Sequence, residues 1–164
     1  MTTLREFVED IDRGVVAPMF ARRGAFPATW FVIERSGDQA IVPAPNTDKD
    51  TASAIMRALL EIVGATRCVF VDEAWTVIAK DEEASAAIRA ITRDGSLENF
   101  PGRDEIVMYS AEDAREGGMT ARRKIIREPG KKPRLGPLVI DDGWTRSEGR
   151  FVGMLPRPPG ARSQ

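Results

Sequence analysis

Acidic residues at the ends of apolar runs are the groups in this chain best placed to do chemistry. In "CVFVDEAW" (68–75), four apolar residues run straight into Asp72 and Glu73. That is the outline of the strand-plus-acidic-pair element that holds Mg²⁺ and polarises water in nucleotide hydrolases. Such chemistry also needs a phosphate cradle, G-x-x-x-x-G-K-[ST], whose backbone N–H groups surround the phosphates while its lysine meets the terminal ones. The chain has no Gly-Lys-Ser or Gly-Lys-Thr, and Gly130-Lys131 is followed by Lys132 in a predicted hairpin turn. The pattern predicts no ATP or GTP site.

A carboxylate cluster is the next possibility. Glu34 ends one apolar run, Asp72 and Glu73 a second, and Glu112 and Asp113 a third. If those runs are neighbouring strands in suitable register, several of the five acids would meet at one sheet end. Carboxylates and water alone suit Mg²⁺, Mn²⁺ or Ca²⁺. The plainer account is that strand ends reach solvent and acids are common there. On that account no cofactor is expected. Trp75 shares a strand face with Glu73 if the strand stays regular. It is then either a ligand-stacking platform or a large ring covering the core's rim.

The bases lie elsewhere. Residues 68–116 hold twelve acids and five bases, whereas "ARRKIIREPGKKPR" (121–134) holds seven bases and one acid. Arg122, Arg123, Lys124, Lys131 and Lys132 are therefore candidate phosphate contacts for a sequence-independent nucleic-acid binder. The stretch lacks the interleaved aromatics that would stack bases. The simpler account has Arg122, Arg123 and Arg127 facing acids across one sheet, with Lys131 and Lys132 solvated in a turn. Nucleic acid is then not the expected partner.

Composition narrows the rest. There is no histidine, which removes Ser–His and Cys–His catalysis and imidazole zinc sites. Cys68 is the one cysteine, so no intramolecular disulfide forms, and its apolar setting reads as a small buried hydrophobe. Net charge is −1, which favours neither polyanions nor cationic partners globally. A chain of 164 residues is one domain able to bury its own core. No run approaches the ~20 apolar residues of a membrane span, and "MTTLREFVEDIDRG" has acids where a signal peptide wants a basic flank. The expected location is cytoplasmic, with no membrane partner.

Periodicity supplies the elements that would position these groups. Thr3 and Glu6 have capping-box spacing, and Leu4, Phe7, Val8 and Ile11 follow as one stripe, predicting a helix over 3–13. Gly14 and Pro18 argue against its running on unbroken. "TWFVIERSGDQAIVPAP" (29–45) reads as a hairpin turning at Ser36-Gly37-Asp38, with Pro43 and Pro45 keeping the second strand's tail at an edge.

"NTDKDTASAIMRALLEIVG" reads as a helix capped by Thr47 or Asp50, with Ala52, Ile55, Met56, Leu59 and Val63 on one face. Leu60 and Ile62 widen that face, and Gly64 closes the helix. A strand over 66–79 with a break near Glu73-Ala74, a helix over 81–91 and a strand over 104–113 follow. Residues 119–142 read as a second hairpin turning at Pro129-Gly130. "MLPRPPGARSQ" lacks apolar pattern, giving one domain over 1–155 and a disordered tail at 156–164.

Strands at Trp30–Ile33, Val69–Val71 and Ile106–Tyr109 are apolar on both faces, so each should be covered on both. The expected fold is α+β: a mostly antiparallel or mixed sheet of five or six strands with helices on both faces. Its order of elements is similar to that of roadblock-type and profilin-like domains. Phe70, Val71, Val107 and Leu59 are expected to be buried together.

"FVIERSG", "VFVDEAWTV", "EIVMYSAED" and "RLGPL", in that order, resemble a family of short, uncharacterised proteins from bacteria and their phages. The match spans about 29–138 and implies no activity, cofactor or partner. With no nucleophile–base pair recognisable, the leading expectation is a non-catalytic domain that binds another protein or itself. A divalent-metal enzyme using the strand-end acids, and a nucleic-acid accessory protein using 121–134, are the alternatives.

Overall fold

The computed structural model describes residues 2–77, 81–141 and 153–156. Helix α1 (Leu4–Ile11) starts at the predicted capping box. The Thr3 hydroxyl accepts the Glu6 N–H at 3.2 Å, and the Glu6 carboxylate accepts the Thr3 N–H at 2.7 Å. Its stripe of Leu4, Phe7, Val8 and Ile11 is buried. The helix does not stop at 13 as expected. It widens into a π-helical turn over Asp12–Val16, where the Ala17 N–H reaches back to the Asp12 carbonyl, and continues as α2 (Ala17–Arg23). Pro18 has no N–H to give to the preceding turn, and the wider turn lets the chain pass it without a break.

Strands β1 (Thr29–Ile33) and β2 (Gln39–Pro43) form the predicted hairpin, with Gly37 at φ 92° in its turn. Helix α3 (Lys49–Ile62) is capped by Asp48 rather than Thr47 or Asp50, its carboxylate accepting the Thr51 N–H at 2.9 Å. The helix closes at Gly64, whose φ is 61°; a Cβ there would lie 2.9 Å from Arg35 Nε. Strand β3 (Arg67–Thr76), helix α4 (Asp81–Asp94), β4 (Asp104–Asp113) and β5 (Gly117–Ile126) follow, then two short strands, β6 (Arg134–Leu135) and β7 (Val139–Asp141).

All pairings are antiparallel, in the order β2-β1-β3-β4-β5-β6, with β7 also on β5. The predicted break in β3 is absent: it pairs with β4 without interruption from Arg67↔Asp113 to Thr76↔Asp104. Residues 78 and 79 of the expected strand lie outside the described residues. The second hairpin turns at Pro129-Gly130 as expected, but Gly136-Pro137 splits its return arm. The Gly136 N–H bonds the Lys124 carbonyl at 2.8 Å, and β7 then rejoins β5 opposite Thr120–Arg122.

Helices cover both faces of this α+β sheet. Against α1, the π turn and α2 lie Phe31, Val69, Val71, Val107, Tyr109, Ala111, Ala121 and Ile125. Against α3 lie Trp30, Val32, Cys68 and Phe70, together with Met154 from near the chain's end. The expected cluster of Phe70, Val71, Val107 and Leu59 is therefore divided. Successive strand residues point to opposite faces, so Phe70 meets α3 while Val71 and Val107 meet the other layer.

Leu59 is half-buried, because the stripe that meets the sheet is Ala52, Met56 and Leu60, joined by Ser53. Ile55 and Ile62 are 47% and 82% exposed, so the predicted apolar face is rotated toward solvent at its edges. Helix α4 forms a small cluster of its own, Ala87, Ala90 and Leu97 with Val77 and Phe100. Met154, inside the expected domain, is buried; residues 157–164 of the predicted tail lie outside the described residues. Among the described residues no helix is long and apolar enough to cross a membrane.

Candidate functional site

The π turn places Asp12 on the inner side of the helix, where it is buried above β4 and β5. Tyr109 on β4 donates its hydroxyl to Asp12 Oδ1 at 2.5 Å. Arg123 on β5 grips both oxygens, Nε to Oδ1 at 2.8 Å and Nη2 to Oδ2 at 2.5 Å, and its Nη1 donates to the Gly136 carbonyl at 2.7 Å. Burial, followed by the bond to Asp12 and that group's negative charge, pushes the Tyr109 hydroxyl up from its ordinary value. It therefore stays a donor. The Asp12 bond likewise raises Arg123 against the opposing effect of burial. Each polar group finds its partner inside the cluster, so the arrangement ties helix to sheet rather than presenting a reactive group. Outside it, Arg5, Glu9, Arg13, Pro18 and Leu138 line a shallow pocket of about 560 Å³.

A second charged cluster lies at the other end of α1. Arg67 on β3 donates to Asp113 at 2.6 Å, to Glu116 at 3.0 Å and to the Thr2 carbonyl at 2.9 Å. Glu116 in turn accepts the Leu4 N–H, and the Arg67 guanidinium lies 5.5 Å above the Phe7 ring. Beside this cluster runs a groove of about 790 Å³ floored by Phe7, Ile11, Val15 and Ile33, with Arg35 and Arg115 exposed along it.

The five candidate acids do not assemble. Glu34 and Asp113 line this same groove, but Asp113 is engaged by Arg67. Glu73 faces α2's side and accepts the Phe26 N–H at 2.6 Å. Asp72 and Glu112 share the α3 face, yet Asp72 stands opposite Met108, four residues along β4 from Glu112. That separation is about 13 Å at the usual rise of a strand. The convergence considered from sequence fails because β3 and β4 run antiparallel and β3 continues past its acids: Asp72 and Glu73 stand mid-strand opposite Met108 and Val107, while Glu112 and Asp113 stand opposite Cys68 and Arg67 at the strand's start. Among the described residues no three Asp, Glu or Cys side chains are grouped as a metal ion would require.

Burial raises the Asp72 carboxyl, partly offset by its bond from the Glu73 N–H and by Lys49. Glu112 accepts the Met154 N–H at 2.8 Å and the Leu155 N–H at 3.1 Å, while Arg57 donates to the Gly153 carbonyl. This anchoring of 153–155 had no sequence signal beyond a lone Met among prolines. Burial and then the charge of Glu112 push the Cys68 thiol up, in keeping with its reading as an unreactive core residue. Trp75 shares its face with Glu73 as the regular strand requires. It is 38% exposed at the sheet's end, with the Arg103 guanidinium 4.7 Å above its ring.

The candidate phosphate contacts separate in the same way. Arg122 pairs with Asp141 at 2.6 Å, Arg123 with Asp12, Lys124 with Asp104 at 2.6 Å, Arg127 with Glu105 at 2.6 Å and Lys131 with Glu128 at 2.9 Å. Acids of the same sheet do face Arg122 and Arg127, as the simpler account has it. Arg123 departs from it, because its partner comes from the helical layer. The Asp12–Tyr109–Arg123 cluster was not foreseen. The sole tyrosine, placed at the end of the apolar run Ile106–Tyr109, was its one available hint. No protein-family model matches this sequence, and no curated protein or solved structure is significantly similar to it.

Proposed function

We propose that this chain is a non-catalytic association domain that pairs with a second copy of itself through β2. The observation that carries the reading is the contrast between the two edges of the sheet. On one side, β5 is closed by β6 and β7, two and three residues long and interrupted by Gly136-Pro137. Short, broken edges resist pairing. On the other side, β2 runs for five residues, Gln39-Ala40-Ile41-Val42-Pro43, with no charged side chain.

The Ala44 N–H bonds the Ala28 carbonyl and the Glu34 N–H bonds the Asp38 carbonyl. By the alternation of an antiparallel ladder, Ala40 and Val42 then point their backbone groups at β1, while Gln39, Ile41 and Pro43 point theirs outward. Ile41 is also 58% exposed. A two-fold antiparallel pairing about Ile41 sets Ile41 against its own copy and Gln39 against Pro43. Pro43 has no N–H, which removes one bond at each end and makes the association modest.

Sedimentation velocity over a concentration series tests this. A monomer–dimer equilibrium with a dissociation constant of about 1–100 μM is expected, and Ile41→Lys should abolish it. A chain that stays monomeric throughout, or a dimer indifferent to Ile41→Lys, would refute the reading.

A further inference from the structure

Two acid-free stretches of this chain meet on one surface. No Asp or Glu occurs from Arg13 to Ile33, nor from Pro129 to Ile140. The first stretch carries Arg22 and Arg23 in the last turn of α2; the second carries Lys131, Lys132 and Arg134 at the start of β6 and in the turn before it. Helix α2 packs beside β6. A Cβ at Gly24 would lie 3.5 Å from Pro133 Cδ, so the residues flanking the two groups of cations touch. All five cations are exposed. Among the described residues Glu128 pairs with two of them, Lys131 at 2.9 Å and more loosely Arg134 at 3.8 Å. Among the described residues Arg22, Arg23 and Lys132 have no acid partner.

We propose that this face binds the phosphodiester backbone of nucleic acid, without sequence preference. Cations gathered from two segments create a local positive potential that the net charge of −1 conceals. No aromatic residue lies in 21–24 or 129–135, so recognition rests on phosphates and not on stacked bases. Among the described residues the exposed bulky apolar side chains all lie outside these two groups of cations, so none of them would enter a lipid surface there. The expected basic hairpin is thus redistributed: Arg122, Arg123 and Lys124 are neutralised within the fold, and Lys131 and Lys132 act with Arg22 and Arg23. The face adjoins β6, at the opposite edge of the sheet from β2, so it does not depend on self-association.

Fluorescence anisotropy of the full chain with a labelled duplex and a labelled single strand, across a salt series, tests the proposal. Micromolar binding at low salt is expected. With three or more phosphates neutralised, the log–log salt slope on duplex DNA should be about −3 or steeper. Combined Arg22→Glu, Arg23→Glu and Lys132→Glu should weaken binding at least tenfold and flatten that slope. Arg89→Glu, an exposed base on α4, should leave both nearly unchanged, and Lys132→Glu alone gives an intermediate effect should the combination fold poorly. Three results would overturn the proposal: no binding at low salt, equal losses from Arg89→Glu and Lys132→Glu, or tighter binding to phosphatidylserine vesicles than to the duplex.

Discussion

Asp12 and Glu112 are both carboxylates buried against the same sheet, on opposite faces, and they are neutralised by different means. Asp12 meets a guanidinium and a phenol from two strands, so it joins the amino-terminal helix to β4 and β5. Glu112 meets the backbone N–H groups of Met154 and Leu155, so it holds a segment near the chain's end. A side-chain cation carries a full charge and sits on a strand that cannot leave. Backbone N–H groups offer partial charges on a segment with few other anchors. The first arrangement makes the fold depend on the acid; the second makes the end of the chain depend on it.

The sharpest way to break this contrast is to remove the cation. Arg123→Met leaves Asp12 charged and buried, at a cost of about 3–5 kcal/mol. The double replacement Asp12→Leu with Arg123→Met should cost less than Arg123→Met alone, because no bare charge remains. Urea midpoints of the two variants decide it; a double variant weaker than the single would mean the pair itself, not the stranded charge, sets the stability.

Glu112→Gln keeps the shape and loses the charge on the acceptor. The expected loss is smaller, about 1–3 kcal/mol. Faster hydrogen exchange at Met154 and Leu155 should accompany it, with the amides of β3 and β4 unaffected. Uniformly faster exchange throughout the sheet would erase the distinction between the two faces.

The smallest effects come from two half-buried acids that repeat the contrast. Burial works to raise Asp113, but the N–H groups of Arg115 and Glu116, together with Arg67, outweigh it and hold the carboxyl below its ordinary value. Burial holds Asp72 above its ordinary value. A lowered folded pKa gives stability that is present above the unfolded value of about 3.9 and lost as pH falls through the folded one. A raised folded pKa does the reverse, its stability being present below about 3.9 and lost as pH rises through the folded value. Asp113→Asn should therefore be less stable than the parent at neutral pH, and Asp72→Asn more stable. The Asp72 difference should vanish as pH falls to about 3.9 and below, whereas the Asp113 difference should shrink only as pH falls further, through its lowered folded value. Denaturation midpoints across that range would show Asp72→Asn below the parent at neutral pH if burial were not the dominant effect there.

Local signals in the sequence carried far. The Thr3–Glu6 box, the two-faced strands and the Ser36-Gly37-Asp38 turn each act within a few residues, and each stands where it was expected. What could not be read is what depends on distant partners. The choice between Leu59 and Leu60 on α3 rests on which of two adjacent stripes meets the sheet, and both are apolar. The scatter of Asp72, Glu73, Glu112 and Asp113 follows from strand direction and register, which no single strand encodes. Arg123 looked like its neighbours in a basic run, and only the π turn brings Asp12 to it.

That turn also sets the phase of everything after it. Leu4, Val8, Val16 and Phe20 fall at multiples of four residues, a period that a regular α-helix of 3.6 residues per turn would carry slowly around its axis. The widened turn cancels that drift midway, keeping Val16 and Phe20 above the sheet. With one residue fewer at the exposed Gly14, the turn could close to the ordinary pitch and leave Val16 and Phe20 within about 60° of Leu4 around the axis. Forcing the ordinary pitch on the residues present would instead carry Val16 and Phe20 to about 120° and 160°, out of the core, and turn Arg22 and Arg23 away from Lys132. The widened turn thus absorbs one surplus residue, and the meeting of the two cationic segments depends on its staying wide.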